Sequence, residues 1–298
     1  MTFVQRFTVK GVFWRQFLRW AVLNIPFWIE PFVIASWSLF FLLWGPGRRG
    51  VMRNLTAIKP GSWTVTNFLR TYRVFWNYAW TITDNIRFKE ERVAPEFAFI
   101  GREHLEPLLR DDHGGAIVLT AHMGSYDLGA HLFAASTTRQ IVMIRAPEVD
   151  PQTRLYEESK VDLTHDDGLR VGFNTTGDLA FELLAAVQRG EVVAIQGDRV
   201  TAGIATTPVT LFGRRASVPS GPFALAMATR VPIYPMFIVR KGLRSYALIT
   251  GEPITVERVG RARDFTPAIA KWVAQLEHVI RENWFQWFAF EPFFEESA

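Results

Sequence analysis

His122 and Asp127, five residues apart in the run AHMGSYDLGA, are the pair in this 298-residue chain best suited to moving a proton. A carboxylate that holds one ring nitrogen of a histidine fixes the tautomer, and the other nitrogen can then take a proton from a hydroxyl. General-base catalysis of this kind is worth typically about 10²–10⁴ in rate. Within one continuous helix the two side chains would point about 140° apart, at about 100° per residue. They meet only if His122 lies on a strand-to-helix loop and Asp127 opens the helix. The same residues also fit a plainer account, with Asp127 as a helix-start carboxylate and His122 as a loop histidine. Cysteine is absent, which excludes a thiol nucleophile, disulfides and thiolate metal sites. No G-x-S-x-G elbow, Walker A, G-x-G-x-x-G or H-E-x-x-H pattern is present. The other histidines, His104, His113, His131, His165 and His278, lack metal-ligand spacing with carboxylates, so neither a metal nor a cofactor is expected.

The elements that must position this pair follow from the apolar patterning. After Pro95, apolar runs at 97–100, 116–121, 141–145, 192–197, 208–212, 231–239 and 246–251 read as strands. Helical patterns fall between them near 103–110, 126–136, 177–189 and 218–229, and a longer one runs from about 266 to 283. Strands alternating with helical crossovers predict an α/β domain. The buried run 116–121 then leads into His122, and the amphipathic run from about 126 carries Asp127 in its first turn.

Ahead of this domain the character differs. Eight of the 11 tryptophans fall in the first 80 residues and three near the end, Trp272, Trp284 and Trp287; residues 81–271 have none. From Trp20 to Trp44 the only charge is Glu30, bracketed by Pro26 and Pro31. A run of this length can reach across a bilayer, and the prolines favour a kink or a re-entrant hairpin over one straight helix. The alternative is a pair of buried core helices. Arg6, Lys10, Arg15 and Arg19 precede the run and Arg48, Arg49, Arg53 and Lys59 follow it, so the flanks do not choose an orientation. Residues 1–60 are therefore expected to form a membrane-anchoring region and 61–298 the catalytic domain. Aromatic spacing over 62–92 predicts an amphipathic helix at the start of that domain. A net charge of +4 suits an anionic lipid surface, and no basic run interleaved with aromatics points to nucleic acid. At 21% charged and 49% hydrophobic residues, the chain is neither a polytopic membrane protein nor disordered.

The sequence resembles a known family over most of its length. HMGSYD fits the H-x-x-x-x-D motif of glycerolipid acyltransferases, and its context is most similar to the bacterial lipid A late (lauroyl/myristoyl) acyltransferases. VMRNLTAIKP, IVMIRAPEVDPQTRLYEESK, RGEVVAIQGDRV, PVTLFGRRASVPSGPFALAMATRVPIYPMFIVR and NWFQWFAFEPFF each resemble segments of that family. Two positions depart from it. Ser125, Tyr126 and Asp127 stand where the family has Asn-Trp-Glu, and Asp198–Arg199 where it has Asp-Gln, which marks a divergent branch.

The resemblance implies a glycerolipid-acyltransferase-like α/β domain with a mixed, largely parallel sheet flanked by helices. It also implies transfer of a fatty acyl chain from acyl carrier protein or acyl-CoA to a hydroxyl of a lipid or glycolipid, at the cytoplasmic side of a bacterial inner membrane. His122 would be the general base and Asp127 the residue that orients it. Ser125 and Tyr126 become candidate substrate contacts. Asp198 and Arg199 would lie at the rim of the site, where Arg199 grips a phosphate or oxyanion or else forms a surface salt bridge. Arg145 is a second candidate for binding an anion. Ser217 to Gly221 would bind an anion at a helix N-terminus or simply cap it. Leu128, Leu132 and Phe133 read as core, or as the wall of an acyl pocket. Rival readings are N-acylation of an aminolipid, a thioesterase or lipase, and a lipid-binding protein without catalysis. Chain length, acceptor and oligomeric state are not set by the sequence.

Overall fold

The computed structural model describes residues 12–45, 47–91, 95–110, 114–145, 168–173, 178–200, 203–257 and 264–295. The apolar N-terminal run is broken where its prolines require. Helix α1 (Val12–Asn24) stops before Pro26, and α2 (Glu30–Trp44) begins with Pro31 in its first turn. At about 1.5 Å per residue, α2 falls short of the roughly 30 Å of a bilayer's hydrocarbon core. No helix among the described residues is long and apolar enough to cross a membrane. Both helices dock on α4 (Thr64–Glu91), the predicted aromatic helix, with α3 (Arg48–Ile58) beside it. Glu30, the one charge of the apolar run, is buried there, 3.0 Å from Arg87 Nη2. Arg19 pairs with Glu90. A desolvated carboxylate needs such a partner, so the Glu30–Arg87 pair fixes where α2 lies on α4.

Beyond α4, seven strands form one sheet. They are β1 (Glu96–Ile100), β2 (Ala116–Thr120), β3 (Ile141–Arg145), β4 (Leu169–Phe173), β5 (Val192–Gln196), β8 (Ile233–Gly242) and β9 (Ser245–Thr250). Their order is β1-β9-β8-β2-β5-β3-β4, and every neighbouring pair is parallel except β8–β9. A separate hairpin joins β6 (Thr206–Leu211) to β7 (Arg214–Pro219). The helices are α5 (Glu106–Arg110), α6 (Tyr126–Ala134), α7 (Leu179–Gln188), α8 (Gly221–Thr229) and α9 (Thr266–Asn283). This is the α/β fold that the patterning predicts, with the mixed, mostly parallel sheet that the resemblance implies.

Strand alternation divides the core into two layers. Ile117 and Leu119 of β2 face α8 and α9, against Phe223, Trp272 and Leu276. Val118 faces the opposite way, into a cluster with Leu128, Leu132 and Phe133 of α6. Strands covered on both faces read as unbroken apolar runs, which is why AIVLT and VVAI were visible in the sequence. Strands β4 and β7 were not. LRVGF alternates polar and apolar residues at a sheet edge. In the hairpin the turn is Phe212–Gly213, both with positive φ (50° and 70°), and a phenylalanine there lacks the usual Asn-Gly signal. Glu277 holds Phe212 in place by accepting its amide at 2.7 Å.

The tryptophans at the two ends of the chain differ in exposure. Trp20, Trp28, Trp44 and Trp63 are exposed, whereas Trp272 and Trp287 are fully buried and Trp284 is half-buried. The C-terminal indoles are core. A chain of rings still links the two ends, from Phe41 to Phe75 and on to Phe290 and Phe288.

Candidate active site

Strands β2 and β5 pair in parallel, with Ile117 opposite Val193 and Thr120 opposite Gln196. His122 and Asp198 each stand two residues beyond the end of that register. Continuing the same parallel spacing brings them together, although 76 residues separate them in sequence. His122 Nδ1 lies 2.8 Å from Asp198 Oδ1, and the His122 amide donates to both carboxylate oxygens at 3.0 Å. The indole N–H of Trp287 donates to Oδ2 at 2.8 Å. The Asp198 side chain is 3% exposed and that of His122 14%, so the carboxylate is sealed while the imidazole reaches the surface. Burial alone would push the Asp198 carboxyl up. The facing imidazole and the hydrogen bonds from His122 and Trp287 outweigh burial and hold it below the ordinary carboxylate range. An ionised Asp198 accepts from Nδ1–H, which leaves Nε2 as the basic nitrogen.

The loop carrying His122 is shaped by Gly124. Its φ is +53°, and a Cβ there would lie 2.3 Å from the carbonyl oxygen of Ile238. No larger residue fits. The far side of the loop is held by the C-terminal segment. Gly124 N donates to Gln286 O at 3.0 Å, Phe288 N donates to His122 O at 2.8 Å, and Met123 bridges Trp287. The Gln286 side chain bonds the Arg240 amide and carbonyl at 2.6 and 2.8 Å.

The reach back to His122 expected of Asp127 is therefore made by Asp198. Asp127 sits in the first turn of α6, as expected, but its Oδ2 accepts from Asn85 Nδ2 at 3.3 Å and lies 3.9 Å from Lys89 Nζ, both on α4. The physical reason is directional. A helix starting at Tyr126 carries Asp127 toward the neighbouring helix, while the strand-end loop turns His122 toward β5.

The remaining sequence candidates are distributed as follows. Tyr126 places its ring edge-on to His122, centroids 5.6 Å apart at 66°. Ser125 is buried and precedes α6. Arg199 is exposed beside Asp198, with Nη2 donating to Phe288 O at 3.4 Å. Arg145 closes β3, and its side chain lies outside the described residues. Ser217 is in β7 opposite Pro208, not in a helix-capping turn. Ser220 precedes α8 instead, its hydroxyl donating to Ala205 O at 3.1 Å, and Gly221 opens that helix. Neither Ser217 nor Gly221 hydrogen-bonds the His122–Asp198 pair. Leu128, Leu132 and Phe133 are buried core. Among the described residues, no three His, Asp or Glu side chains are grouped to hold a metal ion.

Sequence reasoning missed Trp287. Its only signal was physical: a buried indole N–H needs an acceptor. A cavity of about 40 Å³ lies between the sheet and α6, lined by Thr120, Tyr126 and Gln196 together with apolar residues such as Met143, Ile144, Met236 and Leu248. Thr120 and Gln196 are the last paired residues of β2 and β5, two positions short of His122 and Asp198.

Comparison with known proteins adds a family. The model of the bacterial lipid A biosynthesis acyltransferase family matches residues 69–296. Among solved structures, the chain is similar to the 1-acyl-sn-glycerophosphate acyltransferase PlsC from Thermotoga maritima. That likeness has 14% identity and a TM-score of 0.39 and covers 85% of this chain and 96% of that one. Against curated proteins the sequence finds no match.

Proposed function

Because the chain belongs to the bacterial lipid A biosynthesis acyltransferase family, and so is an acyltransferase acting on lipids, we propose that His122 is its general base and Asp198 the carboxylate that serves it. The observation that carries this is the 2.8 Å contact of Nδ1 with a buried, anchored carboxylate. Nε2 takes the proton of an acceptor hydroxyl as its oxygen attacks the carbonyl carbon of an acyl thioester. The tetrahedral intermediate collapses with loss of the thiolate, which takes the proton back from the imidazolium. Asp198 stabilises that imidazolium without itself becoming protonated. The acyl carbonyl lies near Tyr126, and the apolar cavity beneath receives the first carbons of the chain. Arg199, exposed at the mouth, meets an anionic group of donor or acceptor.

The acceptor is a lipid or glycolipid and the donor an acyl carrier protein or CoA thioester. We place the protein on the cytoplasmic face of the inner membrane. Phe13, Phe17, Trp20, Phe27, Trp28 and Phe32, all exposed on or between α1 and α2, would insert at the interface. The prolines and the length of α2 favour this in-plane arrangement over a crossing.

The test is the purified protein in detergent with labelled acyl thioester, on carrier protein or CoA, and a bacterial lipid extract. Labelled lipid from the wild type and none from His122→Ala is expected. Free fatty acid alone moves the assignment to hydrolysis, and lipid binding without turnover moves it to a non-catalytic scaffold. A labelled bond that survives mild base is an amide and makes the acceptor an aminolipid.

A further inference from the structure

We propose that Trp287 is a positioning residue for the base: its indole N–H sets the orientation of the Asp198 carboxylate and restrains its basicity, so that the proton gained in the reaction stays on His122. This rests on the His122–Asp198 reading above and deepens it. Asp198 Oδ1 is taken up by His122 Nδ1 at 2.8 Å, and Oδ2 accepts from Trp287 Nε1 at 2.8 Å. Without the indole, a sealed Oδ2 would keep only the His122 amide, at 3.0 Å. A buried carboxylate short of donors is a stronger base.

The indole is itself held firmly. Its ring meets Phe293 edge-on at 5.1 Å, its backbone bridges Met123, and the residues on either side hold Gly124 and His122. Trp287 therefore joins carboxylate and histidine loop through one residue. A role confined to packing would need the ring but not its N–H.

The experiment is the pH dependence of kcat/KM for Trp287→Phe, which keeps a ring and removes the donor, beside Phe293→Leu, which loosens the packing and keeps it. Trp287→Phe is expected to lose roughly tenfold to a hundredfold in rate and to move the acid limb to higher pH, because the pair now holds its proton longer. Phe293→Leu is expected to lower the melting temperature and leave the acid limb in place. An unshifted acid limb in Trp287→Phe, or an equal shift in Phe293→Leu, overturns the proposal. Should Trp287→Phe fail to fold, the wild type decides. With ¹⁵N-labelled indoles, one N–H resonance should titrate over the acid limb of the rate; indole signals that all stay fixed across it overturn the proposal. The titration uses no substrate, so it stands apart from a failure of the acyl-transfer assay.

Discussion

Two carboxylates flank the histidine loop, and their surroundings are opposite. Asp198 follows a central strand, is sealed from water and receives donors from His122 and Trp287. Asp127 opens α6, has a side chain 17% exposed, and is taken up by α4 through Asn85 and Lys89. The difference teaches that strand register, not sequence spacing, selects the carboxylate partner of His122. Five residues along the chain lead around a turn onto another helix; two steps beyond the shared register of β2 and β5 lead straight to the imidazole.

The largest test of this contrast is a pair of isosteric changes. Asp198→Asn should lower kcat by about 10⁴, as expected when a histidine loses the carboxylate that fixes its tautomer. Asp127→Asn should cost about tenfold or less, on the scale of one hydrogen bond. Equal losses would dissolve the distinction. Next comes the loop itself. Gly124→Ala puts a Cβ against the Ile238 carbonyl in a left-handed backbone, which costs on the order of 1–3 kcal/mol and displaces His122; a fall in both melting temperature and kcat checks it. A smaller effect concerns acid. The Asp198 carboxyl is held below its ordinary value of 3.8 when folded, so it contributes stability above that value, lost as pH falls through the lower folded one. Acid unfolding followed by circular dichroism should show this loss in the wild type and in Asp127→Asn, and a weaker one in Asp198→Asn. Smallest is Lys89→Met. The contact at 3.9 Å is partly exposed, so about 0.5 kcal/mol or less of stability is expected to go, with the pH–rate profile unchanged.

Much of the fold was legible because buried strands and amphipathic helices carry their period in the sequence. The runs at 116–121, 192–197 and 231–239 became β2, β5 and β8, and the pattern from 266 to 283 became α9. The site was half legible. His122 stood out by residue type and by the strand before it, and Asp198 by resemblance, but only as a residue at the rim. Its contact with His122 is a property of sheet order, β2 beside β5, which no local pattern records. Ser217 illustrates the converse error. SVPSG looks like a capping turn, yet its first three residues complete a hairpin whose Phe-Gly turn is tolerated because Glu277, from α9, holds the strained amide.

The segment from Gln286 to Phe293 holds Gly124, His122 and Asp198, and it also bonds Asn54 of α3 through Ala289, Glu291 and Phe293. Every group it fastens is synthesised before it. On a ribosome His122, Asp198 and the helical platform therefore emerge as separate pieces, and the contacts that hold them together are completed only when this stretch arrives. A nascent chain carries the motif before it carries the contacts that hold His122 and Asp198 in place.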